Sequence, residues 1–180
     1  MPLEEIADRA GVGIATLYRR FPTREDLIAA SFERKLTEYA EAVEEALRAP
    51  DAWSGFCGYV QRVCAMQAAD RGLRDVLTMT FPAGAALERQ RRKAYRDFAM
   101  LVRRAQAEGR LRRDFVPEDL VVLLMANAGV VQGTRDAAPG AWKRFAALMI
   151  EAFRADRAGP LPEPPTRRQI YRAMQRLVRT

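Results

Sequence analysis

Apolar residues recur at intervals of three and four along almost the whole chain. No stretch shows the two-by-two alternation, rich in Val, Ile and Thr, that marks a strand. A chain patterned this way folds as helices, and its prolines and glycines mark the joints. The expected fold class is therefore all-α. Leu3, Ile6, Ala7 and Ala10 share one face of a short first helix, which stops at Gly11-Val12-Gly13. Ile14, Leu17, Tyr18 and Phe21 repeat the spacing before Pro22. Thr23 can cap a long third helix whose stripe runs Leu27, Ile28, Phe32, Leu36, Tyr39, Val43 and Leu47, ending before Pro50.

The rest of the chain is punctuated in the same way. Asp51 or Ser54 starts a helix that faces Phe56, Val60, Val63 and Cys64 inward and runs to Gly72. A shorter segment over 73–79 ends at Phe81-Pro82-Ala83-Gly84. An arginine-rich helix over 85–108 carries Leu87, Tyr95, Phe98, Leu101 and Val102 and is closed by Gly109. Pro117 suits a first helical turn, with Glu118 and Asp119 near its positive end, ahead of a nearly all-apolar helix over 120–133. A further helix is expected over 141–158, with Trp142, Phe145, Leu148, Met149 and Phe153. The proline tract 159–165 then forms a stiff tether, and Thr166 caps a last amphipathic helix.

Composition removes several classes of function. With no histidine in 180 residues, Ser–His and Cys–His dyads, His-ligated zinc and zinc fingers are excluded. Adjacent carboxylates such as Glu44-Glu45 and Glu118-Asp119 diverge and form no acid–base couple, and no phosphate loop or dinucleotide fingerprint occurs. Neither an enzyme nor a cofactor protein is indicated. Cys57 and Cys64, seven residues apart on a helix, lie roughly 10 Å apart along its axis, too far for a disulfide. They read either as oxidant-sensing thiols or as inert buried ones. The apolar run over 120–131 is shorter than the ~18 residues of a membrane span, and the expectation is a reduced, cytoplasmic protein.

The net charge of +7 permits a polyanionic partner without placing it. Residues 1–35 hold six basic and six acidic side chains, whereas 86–113 hold ten against three and 154–180 seven against two. A nucleic-acid surface in the N-terminal region must therefore rest on pattern. The strip of Arg89, Arg91, Arg92, Lys93 and Arg96 reads as a solvated or acid-paired face, with phosphate binding as the alternative.

That pattern is present between Leu3 and Leu27. Two short helices joined by a glycine turn form helix-turn-helix geometry, with small Ala7 and Ala10 allowing close approach and Gly11 suited to a left-handed turn residue. On the second helix, Ala15, Thr16, Arg19 and Arg20 fall opposite Ile14, Leu17 and Phe21. A small residue, a hydroxyl with a methyl and two guanidinium forks suit the edges of bases in a major groove. Tyr18 and Arg24 can reach phosphates.

Ile6-Ala7-Asp8-Arg9-Ala10-Gly11-Val12, Thr16-Leu17-Tyr18 and Phe21-Pro22-Thr23-Arg24-Glu25-Asp26-Leu27 resemble the TetR family of transcriptional regulators over about 25 residues. The resemblance implies an all-helical homodimer, a helix-turn-helix headpiece over 1–35 and a ligand-binding and dimerisation body over 36–158. The tether 159–165 and the helix 166–180 lie outside the family's usual pattern. It also implies a repressor released from a palindromic double-stranded operator by a small-molecule effector, with DNA contacts from Ile14, Ala15, Thr16, Tyr18, Arg19, Arg20 and Arg24. Tyr18 and Arg24 match the family's phosphate clamps. Arg20 stands where a histidine is frequent, and Gly13 where a serine is usual. Gln67-Ala68-Ala69-Asp70-Arg71-Gly72-Leu73, Glu108-Gly109-Arg110-Leu111-Arg112-Arg113-Asp114 and Pro117-Glu118-Asp119-Leu120 resemble the SbtR-like branch.

The family has a basic arm and a further helix before the one at Leu3, whereas this chain starts at Met1-Pro2. Either the start is truncated relative to a full regulator, or this is a short form that binds DNA poorly. In both cases the headpiece is expected to lose packing around Ile6, Leu17 and Phe21 and to fray. The competing reading of function is accordingly a helical ligand- or partner-binding dimer without competent DNA binding. By resemblance, dimerisation uses 118–133 and 141–157, where Ala126, Ala128, Gly129, Val130 and Val131 allow close packing. Met66, Met79, Phe81, Phe98, Met100, Met125, Asn127 and Gln132 read either as walls of an effector cavity or as ordinary core.

Overall fold

The structure, a computed structural model, describes residues 2–70 and 85–177. The helices among them are α1 Leu3–Ala10, α2 Ile14–Arg20, α3 Arg24–Leu47, α4 Ala52–Ala69, α5 Ala85–Ala107, α6 Pro117–Gly133, α7 Ala141–Ala152 and α8 Arg167–Leu177, with one 3-10 turn, Ala155–Arg157. The expected segment 73–79, and with it Met79 and Phe81, lies outside the described residues.

Local chemistry sets the joints. Gly11 ends α1 at φ 65°, a left-handed conformation that glycine adopts without a Cβ clash. Thr23 and Asp26 form a capping box at the start of α3: the Asp26 amide donates to the Thr23 hydroxyl and the Thr23 amide donates to the Asp26 carboxylate, both at 3.1 Å. Asp51 caps α4 by accepting the Ser54 amide at 2.8 Å. Thr166 and Gln169 cap α8 reciprocally, as the tether sequence anticipates.

The body packs α3, α4 and α5 together, with α6 and α7 closing against α4. Phe56, Val60, Val63 and Cys64 are fully buried, so the α4 stripe faces inward as its spacing predicts. An aromatic cluster fills the centre: Phe56 lies 5.3 Å from Phe115 between ring centroids, and Phe98 lies 5.2 Å from Tyr59. A Cβ built on Gly55 would stand 2.3 Å from the Ala46 carbonyl oxygen, so the absence of a side chain at Gly55 lets α4 come close to the end of α3. Arg104 of α5 donates to the Leu47 carbonyl at 2.6 Å and closes the end of α3.

α7 is shorter than its periodicity suggests. The helix stops at Ala152 because the loop after α5 takes over the backbone groups that would continue it. Arg112 N donates to the Phe153 carbonyl at 3.0 Å, and Ala155 N donates to the Arg110 carbonyl at 2.9 Å. Arg112 itself is buried, with its guanidinium on Asp114 and on the carbonyls of Ala152 and Gly159. That arginine anchors the start of the proline tether. Beyond it, α8 returns to the body with Ile170 buried and Arg167 4.3 Å above the Tyr95 ring. No helix among the described residues is long and apolar enough to cross a membrane.

Candidate functional site

α1 and α2 are both formed, and Leu3, Ala7 and Leu17 make a small core of their own with Ile6, Phe21 and Leu27 packed around it. Leu27 belongs to α3, so the first two helices are seated on the start of the long one. Val12, in the turn beside this cluster, is 41% exposed.

α2 presents one residue inward. Leu17 is buried, while Ile14, Ala15, Thr16, Tyr18, Arg19 and Arg20 are all exposed, as is Arg24 at the start of α3. Spacing groups Ile14 with the inward set and the family resemblance groups it with the DNA contacts; its position in the first turn leaves it 37% exposed, on the outer side. Arg20 lies with its guanidinium 5.9 Å from the Phe21 ring centroid. Tyr18 donates its hydroxyl to Glu4 of α1 at 3.3 Å, a tie that spacing within either helix does not reveal. α2 thus stands as an exposed ridge carrying hydroxyl, guanidinium and small apolar groups, the residue types that suit contacts in a groove.

The residues proposed to line a cavity in the body divide differently. Phe98 and Asn127 are buried, Met66 and Met125 are half-buried, and Met100 and Gln132 are exposed. Gln132 follows Asn127 by five residues, about 140° round the helix, so the two cannot face one site. Phe98 is ring filler in the aromatic cluster. Asn127 instead meets a residue missed in the sequence: its Nδ2 donates to Gln67 Oε1 at 3.0 Å and to the Cys64 carbonyl at 3.4 Å. The available signal was that Gln67 continues the Val60, Val63, Cys64 stripe at helical spacing, a polar residue in an apolar register.

The two thiols are poor nucleophiles. Burial, with Glu151 and Asp51 nearby, pushes Cys57 up to about 11, and burial pushes Cys64 up to about 12. This favours the inert reading of the pair. The arginine strip of α5 is in part acid-paired, since Lys93 bonds both Glu44 and Asp97. No group of three or more His, Cys, Asp or Glu residues that could hold a metal occurs among the described residues.

Residues 51–155 match the family described as transcriptional regulator SbtR-like, C-terminal domain, and residues 1–31 match bacterial regulatory proteins, tetR family. Among solved structures, a TetR transcriptional regulator from Streptomyces coelicolor is similar at 26% identity with a TM-score of 0.52, over 85% of this chain and 87% of that one. A comparison with curated proteins gives no match. The first match covers most of the helical body, and the second covers the headpiece with its exposed α2 ridge. The chain belongs to the TetR family of DNA-binding transcriptional regulators, with an SbtR-like C-terminal domain.

Proposed function

We propose that this regulator is a homodimeric repressor released from a palindromic operator by a small-molecule effector. Each α2 enters a major groove, with half-sites one or more helical turns apart. Ile14, Ala15, Thr16, Arg19 and Arg20 face base edges, while Tyr18 and Arg24 hold phosphates. The observation that carries this reading is the division of α2 into one buried residue, Leu17, and six exposed ones. Dimerisation through α6 and α7 is supported by the apolar side chains left uncovered there, Val122 at 45% exposed and Leu148 at 53%. Effector binding in the body favours a headpiece spacing that no longer fits both half-sites, so affinities for DNA and effector are reciprocally coupled.

The test is binding to labelled duplex taken from the DNA flanking the coding region, measured over a salt series. Affinity that falls steeply with salt is expected, because phosphate contacts release counterions. A flat, negligible response would leave the body as a ligand- or partner-binding dimer without a competent headpiece.

A further inference from the structure

Among the described residues, three side-chain polar atoms are buried without a hydrogen-bond partner: Gln67 Nε2, Asn127 Oδ1 and Tyr59 OH. Native interiors leave few such groups, and each one lost to water without compensation costs stability. Two of the three belong to one pair. Asn127 Nδ2 donates to Gln67 Oε1, and the Cys64 carbonyl accepts from the same nitrogen. That carbonyl fixes the orientation of the Asn127 amide, since its oxygen could not face another acceptor. Two facing amides can form two hydrogen bonds. These form one, which leaves a donor on Gln67 and an acceptor on Asn127.

The pair sits at the end of the apolar stripe of α4, where Gln67 is 1% exposed, opposite the middle of α6, where Asn127 is 0% exposed. The charges around the core are already committed. Among the described residues the buried charged side chains are Arg112, held by Asp114 and two carbonyls, and Glu118, which accepts the Tyr95 hydroxyl at 2.9 Å. Neither of these described buried charges is left over to neutralise an ion, and an ion buried without a partner is strongly disfavoured.

We infer that Gln67 and Asn127 form the polar recognition point of the effector site, and that its ligand is an uncharged molecule presenting an adjacent acceptor and donor, a carboxamide or lactam edge. The inference rests on the effector-responsive reading above. The ligand's carbonyl accepts from Gln67 Nε2, and its N–H donates to Asn127 Oδ1. Carboxylates and ammonium ions of the same size are rejected because neither complements both atoms and each brings a charge.

The test uses the full chain and measures thermal unfolding with benzamide and caprolactam, with benzoate and benzylammonium, and with toluene. The neutral amides should raise Tm by about 3–6 °C at ten times their dissociation constant, and the ions should not. Gln67→Met with Asn127→Leu replaces both amides by apolar groups of similar volume. This double variant should fold at least as stably, because no polar atom of the pair is left unmatched, and should lose the response to benzamide while keeping that to toluene. Equal stabilisation by benzoate, a retained benzamide response in the double variant, or no stabilisation of the native chain by either neutral amide would each overturn the assignment. The native chain's response to the five probes decides the matter even if the double variant fails to fold. An amide that raises Tm without releasing DNA leaves this site standing and removes the effector reading. A molecule that releases DNA equally from both chains does the reverse.

Discussion

Glu108, just beyond the end of α5, accepts the backbone amide of Ala52 at the start of α4 on both carboxylate oxygens, at 2.9 and 3.0 Å, and the Trp53 amide at 3.2 Å. A side chain 56 residues away thus satisfies the first free donors of a buried helix, at the end where the helix dipole favours negative charge. Glu108→Ala should cost about 1–2 kcal/mol, and Glu108→Gln less, because the amide retains one acceptor. Urea unfolding monitored by Trp fluorescence checks this, and a midpoint unchanged in Glu108→Ala would show that water replaces the carboxylate without cost.

Gly55 is the point of closest approach between α3 and α4. A methyl group there would overlap the Ala46 carbonyl, a backbone atom that cannot swing aside. Gly55→Ala should therefore destabilise by about 1–3 kcal/mol, although alanine favours a helix intrinsically. Gly58, with open space around its Cβ position, is the control: Gly58→Ala should be neutral or stabilising. The ordering of the two melting temperatures decides the point.

Glu4 of α1 holds the Tyr18 hydroxyl that the proposed function assigns to phosphate. A carboxylate so close to the duplex both competes for Tyr18 and repels the backbone. Glu4→Gln should strengthen binding to all duplexes several-fold, Tyr18→Phe should weaken all of them about equally, and Arg20→Ala should relax base preference. Titration of specific and scrambled duplexes separates these outcomes, and equal behaviour of Tyr18→Phe and Arg20→Ala would count against the assigned roles.

The thiols give a pH prediction. Their folded values, about 11 for Cys57 and about 12 for Cys64, stand above that of an unfolded thiol near 9. The stability they contribute is complete below pH 9 and declines as pH rises toward 11–12, because the unfolded chain ionises first. Reaction with a disulfide reagent at pH 8 should be slow in the native chain and immediate in denaturant. Rapid native labelling would contradict the burial.

The sequence was most informative where a local rule decides the outcome. The cap at Thr23, the left-handed Gly11 and the inward stripe of α4 all follow from spacing and residue type, and so does the outward set on α2 apart from Ile14. Features made by pairing across the chain could not be read that way. The early stop of α7 depends on Arg110 and Arg112 bonding to Phe153 and Ala155, and the place of α8 depends on Tyr95 meeting Arg167. In the body, the softness of methionines and aromatics suits a cavity wall and an ordinary core alike, and Phe98 simply fills space. The informative residue was Gln67, whose position in an apolar register mattered more than its type.

The long third helix runs unbroken for 24 residues from the headpiece to its seat against Gly55, a rod of about 36 Å. Its far end is clasped by Arg104 and by the close crossing of α4, while its near end carries Leu27 and the reading ridge. Such a rod is a lever: a tilt of roughly 5° at the clasp swings the ridge by about 3 Å. In a two-fold assembly both levers swing, so the span between the two ridges changes by up to twice that. A displacement too small to disturb the packed centre can therefore be large on the scale of a groove.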